Sequence, residues 1–194
     1  MDVAPLLAAL QSLAEIPPAE AERLRELVRA RAFPSGAWIL RAGERCSWAG
    51  FVVRGLVRYV LRDGDRERNL GFDFEGRFVG DFESFLTGAP SRRSIQALEP
   101  TRLLVIERAV LETLYRRHVC WERAGRRLAE EHLLRRDRKE SDLRLRSPRA
   151  RYVRMVEQRP WLLGRVPLHH LASYLGMEPE TLSRIRSRLA AGRA

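Results

Sequence analysis

Apolar residues recur at three- and four-residue steps near the start of the chain, at Leu6, Leu7, Leu10 and Leu13, and again at Ala21, Leu24, Leu27 and Val28. That spacing predicts two helices over about residues 3–31. Pro17 and Pro18 fit the first turn of the second, where a missing N–H is harmless. At Phe33 the period changes. From there to about Glu107 the segments are short, rich in Val, Ile, Phe, Tyr and Trp, and divided by nine glycines from Gly36 to Gly88. Such punctuation predicts an all-β barrel or jelly roll. The clearest hairpin is GLVRYVLRDGDRERNLGF: Val57, Tyr59 and Leu61 alternate with Arg58, Val60 and Arg62, and the Asp-Gly pair supplies a left-handed turn that also holds Asp63 and Asp65.

Helical spacing returns from Arg108 to about Leu145. Trp121, Ala124, Leu128 and then His132 or Leu134 make a narrow apolar seam in a helix otherwise dense with charge. A thin seam of this kind suits a two-stranded contact with a second copy of the same helix. The alternative is a solvated helix lying on its own barrel. RSPRARY breaks the pattern at Pro148 and marks a domain boundary, after which Tyr152, Val153, Val156 and Trp161 share one side of another helix.

The last stretch, PLHHLASYLGMEPETLSRIRSRLA, predicts two short helices around a tight turn. Ala172 is small enough for a helix to cross closely, Gly176 suits a left-handed turn and Pro179 suits a first helical position. Leu182, Ile185 and Leu189 point inward against Leu171 and Leu175. These offsets are those of a helix-turn-helix, whose second helix enters the major groove of DNA. Its outward face then holds Glu180, Thr181, Ser183, Arg184, Ser187 and Arg188. Glu180, Arg184 and Arg188 stand four apart and so fall on one line. An arginine can grip guanine with two donors and a glutamate can accept from cytosine, whereas simple surface ion pairs would be worth only about 0.3–0.5 kcal/mol.

Charge sharpens this reading. The 194 residues carry 36 basic against 25 acidic groups, a net +11, which favours a polyanionic partner. Lys139 is the sole lysine, a bias that GC-rich coding would also produce, so location matters more than number. From Arg149 onward there are nine arginines and three glutamates, about half the surplus in a quarter of the chain. Cys46 and Cys120 are too few for a disulfide framework or a four-thiolate cluster. The N-terminus has no basic, long apolar leader and no run approaches a membrane span, so a cytoplasmic protein is expected. Of the four histidines, His118, His132, His169 and His170, none lies in the β segment, and the adjacent pair points to different helix faces, which makes shared metal ligation poor.

VPLHHLASYLGMEPETLSRIRSRL closely resembles the C-terminal helix-turn-helix of the Crp/Fnr family of bacterial transcription regulators, and the segment from Gly55 to Arg108 is similar to that family's β-roll. The resemblance implies an α+β chain. Residues 1–107 would hold N-terminal helices and a double-stranded β-helix, a jelly roll of the cyclic-nucleotide-binding type. Residues 108–147 would form a long dimerisation helix with Trp121, Ala124 and Leu128 in its seam, and residues 148–194 a winged helix-turn-helix. It also implies a homodimer on a pseudo-palindromic duplex site, with RNA polymerase as a further partner; His169 and His170 line the first helix of the DNA-binding unit, where one of them is expected to contact phosphate. Two departures are visible: Glu178 replaces the usual Ser or Thr before Pro-Glu-Thr, and any wing has to be built upstream, in LLGRVPL.

Nucleotide-binding members hold ribose with a Gly-Glu pair and the cyclic phosphate with an Arg-Ser/Thr-Ala segment about ten residues later. The matching positions here are Gly80-Asp81 and Ser91-Arg92-Arg93, with Glu83 and Ser94 nearby. Aspartate is shorter than glutamate, Ser91 stands where the arginine belongs and Arg93 where the alanine belongs. Ordinary cyclic-AMP binding is therefore not expected, and the pocket is left to another small effector or to its own Phe82 and Phe85. No nucleophile–base pair, metal spacing or phosphate loop suggests an enzyme. The competing function is a ligand-sensing module whose C-terminal unit meets a protein instead of DNA.

Overall fold

The computed structural model describes residues 2–64 and 66–191; Asp65, expected in the hairpin turn, lies outside the described residues. Two helices open the chain, α1 (Ala4–Gln11) and α2 (Pro18–Leu27). Leu6, Leu10, Ala21 and Leu24 bury their shared side, and Pro18 takes the first helical position. The second helix ends earlier than its apolar spacing predicts. Arg29–Phe33 is already strand β1, because Arg29 and Arg31 pair with Val105 and Leu103.

The β segment forms two four-stranded antiparallel sheets. One has the order β1, β8 (Thr101–Glu107), β3 (Trp48–Arg54), β6 (Phe78–Val79); the other has β2 (Trp38–Leu40), β7 (Arg93–Ala97), β4 (Leu56–Asp63), β5 (Arg66–Phe74). Leu40, Val52, Val57, Ile95, Leu103 and Val105 fill the space between them. This is the expected jelly roll. The alternation of the β4–β5 hairpin does not leave a wet outer face, however: Arg58 is 5% exposed, and Leu56 and Phe72 are buried with the C-terminal helices.

A short helix, α3 (Phe82–Thr87), interrupts the roll, and α4 (Arg108–Arg117) leads into α5 (Val119–Leu145). The apolar seam of α5 does not await a partner helix. Trp121 and Ala124 are each 2% exposed, packed with α1 and α2, and Leu128 is half-buried against the same core. The seam continues along the chain's own body through Ala129, His132, Arg135 and Lys139, all half-buried. The outward side of α5 instead exposes Leu133 and Leu134.

The C-terminal unit is helical throughout its described length: α6 (Pro148–Gln158), α7 (Leu162–Arg165), α8 (Leu168–Tyr174) and α9 (Pro179–Ala191). Ser147 caps α6 by accepting from the Ala150 N–H. No wing forms in LLGRVPL, and among the described residues no strand follows β8. Leu162 and Val166 stand four apart and are both buried in the core of this unit, so helical burial takes the segment that a hairpin would need.

Candidate nucleic-acid interface and the cavity beneath α5

Helices α8 and α9 meet across a turn at Gly176, whose φ of 65° lies in the left-handed region. The Met177 N–H donates to Ala172 O at 3.0 Å, closing the end of α8. Arg151 of α6 completes that closure by donating to the carbonyls of Leu175 and Gly176 at 2.7 and 3.3 Å. No local spacing announced this role for Arg151, since the helix it serves lies 24 residues away. Leu171, Ala172 and Leu182 are essentially inaccessible, with Ile185 and Leu189 packed on them.

The side of α9 opposite that core carries Glu180, Ser183, Arg184, Ser187 and Arg188, all exposed, while Arg186, also exposed, stands one turn from the buried Leu182 and so lies off this face. Thr181 is half-buried and accepts a hydrogen bond from Arg184 at 3.4 Å. Arg184 and Arg188, in line with Glu180, make a positive ridge on a helix anchored from behind. His169 is exposed on α8, its ring centroid 3.9 Å from that of His170. His170 is not: its Nδ1 lies 3.2 Å from Arg58 Nη1 and 3.3 Å from Asn69 Nδ2. Both neighbours are donors, so Nδ1 accepts and the ring is neutral. Of the two histidines expected to supply one phosphate contact, His170 is therefore not available, since its ring meets Arg58 and Asn69 of the roll.

His170 belongs to a broad contact between the C-terminal unit and β4–β5. Phe72 packs on Tyr174 with ring centroids 5.2 Å apart, and Phe74 on Trp161 at 4.0 Å. The Asn69 N–H donates to Ser173 Oγ at 2.8 Å. Arg165 reaches both Glu75, at 2.9 Å, and Glu99. Burial, aided by the Arg58 charge, pushes the His170 pKa down to about 4. A depressed basic group favours the folded state fully above its ordinary value near 6.5, and that contribution is lost as pH falls toward 4. The wild type is therefore expected to lose more melting temperature than His170→Gln between pH 7 and pH 4. Equal losses, followed by circular dichroism, would remove His170 from the contact.

A second concavity of about 560 Å³ lies between the roll, α3 and the α4–α5 pair. Gly80 and Asp81 line it, as expected of the effector segment; Glu83, Ser91, Arg92, Arg93 and Ser94 do not. The phosphate-binding positions are bonded to one another instead. Ser91 Oγ donates to Asp81 Oδ2 at 2.5 Å, and the Arg93 guanidinium stands 3.4 Å from Asp81 Oδ1 and 3.7 Å from Glu83. Ser94 Oγ accepts from the Ala42 N–H, and Arg92 is exposed. A cyclic phosphate placed here would meet a carboxylate that is 1% exposed and would find its donors already engaged. The residues do not fit a cyclic nucleotide. The cavity draws its other polar groups from positions that the sequence keeps apart: Tyr59 donates to Asp73 at 2.8 Å, and His132 and Arg135 come from α5.

Residues 30–118 match the family model of the cyclic nucleotide-binding domain. Among solved structures, FixK2 from Bradyrhizobium japonicum superposes with a TM-score of 0.74 at 19% identity, covering 85% of each chain. The c-di-GMP-responsive global regulator CLP of Xanthomonas campestris gives 0.71 at 23% identity, covering 89% of this chain and 91% of that one. The catabolite activator protein of Thermus thermophilus gives 0.59 at 26% identity, with 95% and 87% covered. No curated protein sequence matches the chain. The fold thus joins a β-roll of the cyclic nucleotide-binding type to a C-terminal helix-turn-helix. The chain has the fold of the Crp/Fnr regulators, with a cyclic nucleotide-binding-type domain as its first part.

Proposed function

We propose that this chain is a sequence-specific DNA-binding transcription regulator of the Crp/Fnr type, a cytoplasmic binding protein rather than an enzyme. The observation that carries the reading is the line of Glu180, Arg184 and Arg188 standing in solvent on a helix whose other side is fixed by Leu182. A helix held in this way presents its charges without flexing, which is what base reading in a major groove requires. The likeness to the Thermus catabolite activator protein over 95% of this chain supports the same reading.

The regulator acts as a homodimer, with two α9 helices about 34 Å apart on a pseudo-palindromic site. The partner meets the outward side of α5 around Leu133 and Leu134, which are 62% and 53% exposed in the middle of a charged helix; the inner seam is already occupied. RNA polymerase is the partner through which a bound dimer would act. Selection from a random duplex pool is expected to recover paired half-sites one helical turn apart. Binding to the selected duplex, read by fluorescence anisotropy, should weaken steeply with salt, as phosphate contacts demand. A chain with no duplex affinity at low salt would instead be a sensor whose C-terminal unit meets a protein. The double variant Leu133→Glu/Leu134→Glu is expected to sediment as a monomer where the wild type sediments as a dimer.

A further inference from the structure

The cavity beneath α5 has two chemically distinct parts. Its walls are aromatic, with Trp48, Phe78, Phe82, Phe85 and Tyr115 drawn from three separate parts of the chain. One end is polar and incompletely bonded. Four buried side-chain polar atoms among the described residues have no hydrogen-bond partner; two of them, His132 Nε2 and Arg135 Nε, belong to side chains that line this cavity, while a third, Asp81 Oδ1, has the Arg93 guanidinium 3.4 Å away. Native structures leave few such atoms unpaired, and each calls for an explanation. The charge of Arg135 is only loosely committed, its one ion pair among the described residues being with Asp73 at 3.9 Å. His132 stacks on Phe82 with ring centroids 5.0 Å apart, which fixes its plane.

We propose that this cavity binds a ring-bearing apolar carboxylic acid, with its carboxylate at Arg135 beside His132 and its ring among the aromatic walls. A volume of about 560 Å³ falls within the usual range for small-molecule sites, which are mostly apolar with a few placed polar groups. Asp73, Asp81 and Glu122 line the cavity beside Arg123, Arg126 and Arg135; Asp81 is held by Ser91 and Arg93, Asp73 by Tyr59, and Arg126 by Glu130, which leaves Arg135 as the charge a ligand can answer. A wholly apolar ligand would leave the Arg135 end unanswered. A planar carboxylate answers it with a two-pronged pair of charge-assisted hydrogen bonds.

The same strands carry the ligand's signal outward. Tyr59 and Asp73 line the cavity, whereas Arg58, Phe72 and Phe74, which alternate with them along β4 and β5, hold His170, Tyr174 and Trp161 of the C-terminal unit. One turn beyond Arg135, Lys139 donates to Leu70 O and lies over the Tyr174 ring at 4.2 Å. A ligand that draws Arg135 inward therefore acts on the elements that orient α9. Only this last step rests on the proposed DNA-binding function; occupancy of the cavity does not.

The test uses the full chain without DNA. The aromatic sulfonate 1-anilinonaphthalene-8-sulfonate is expected to bind once per chain with enhanced fluorescence, and 2-naphthoate to displace it. Arg135→Gln should weaken 2-naphthoate by about tenfold or more while leaving the neutral 2-acetylnaphthalene nearly unchanged, a split that a purely structural arginine would not produce. Ala129→Phe, which fills the cavity from α5, should remove both ligands. Ala129→Leu is the milder substitute if the phenylalanine variant no longer melts cooperatively. Displacement of the fluorophore by cyclic AMP as readily as by 2-naphthoate would overturn the proposal, and so would undiminished binding in both Ala129 variants or no saturable binding at all. DNA affinity measured separately tells a failure of this site from a failure of the regulator reading.

Discussion

Arg184→Glu is expected to abolish site-specific DNA binding, with a loss of about 100-fold or more, while the melting temperature stays within about a degree of wild type. Arg184 is exposed on α9, and among the described residues its one hydrogen bond is a long contact to Thr181 at 3.4 Å, so the fold loses almost nothing with it. A two-pronged arginine–guanine contact is worth about 1–3 kcal/mol of discrimination, and the reversed charge adds repulsion from phosphates. Arg184→Ala isolates the first contribution and should fall between wild type and the reversal. Anisotropy titrations against the selected duplex and a scrambled one separate the two effects. Equal affinity of wild type and Arg184→Glu for the selected duplex would remove α9 from the interface.

Trp121→Ala is expected to cost about 3–5 kcal/mol of stability, the range for deleting a large buried aromatic side chain. The indole is 2% exposed where α5 crosses α1 and α2, and its Nε1 donates to Glu20 Oε2 at 2.8 Å. Glu20 is itself buried and accepts from Arg117 Nε at 2.9 Å. Trp121→Phe keeps most of the packing and removes the donor, so it should cost less, about 1–3 kcal/mol. The Trp121 hydrogen bond holds the Glu20 carboxyl below its ordinary range against the opposing effect of burial, with Arg117 assisting. A depressed acid stabilises the fold above its unfolded pKa and loses that contribution as pH falls through the folded value. The gap between wild type and Trp121→Phe in urea midpoints should therefore narrow in acid. Had Trp121 been a dimer-seam residue, its substitution would change the sedimenting species more than the stability of each chain.

The contrast between those two positions explains what could be read in advance. The helix-turn-helix was legible because its signals are local: Ala172, Gly176, Leu182 and Ile185 stand at short offsets, and the backbone at Gly176 takes the left-handed turn that its residue type suggests. The roll was legible for the same reason, through short segments rich in strand-forming residues between glycines. The spacing along α5 shows an apolar seam, and Trp121 and Ala124 in it are covered by the chain's own core. A periodicity states that a face is buried and says nothing of what covers it; here α1, α2 and the roll cover it. The wing failed because Leu162 and Val166 suit helical burial as well as they suit a hairpin.

By itself the sequence determined most of the elements and their order, the charged outer face of α9 and the residue changes at the cassette positions Asp81, Ser91 and Arg93, all of which follow from residue type at short spacing. Tertiary structure alone decided that Arg58 and His170 meet from 112 residues apart. It also brought Tyr59, Asp73, Asp81, His132 and Arg135 around one cavity. Side-chain periodicity is set by backbone geometry within one element and is written in the local pattern. Which buried faces come to share a core depends on contacts between distant segments, and no local pattern encodes them.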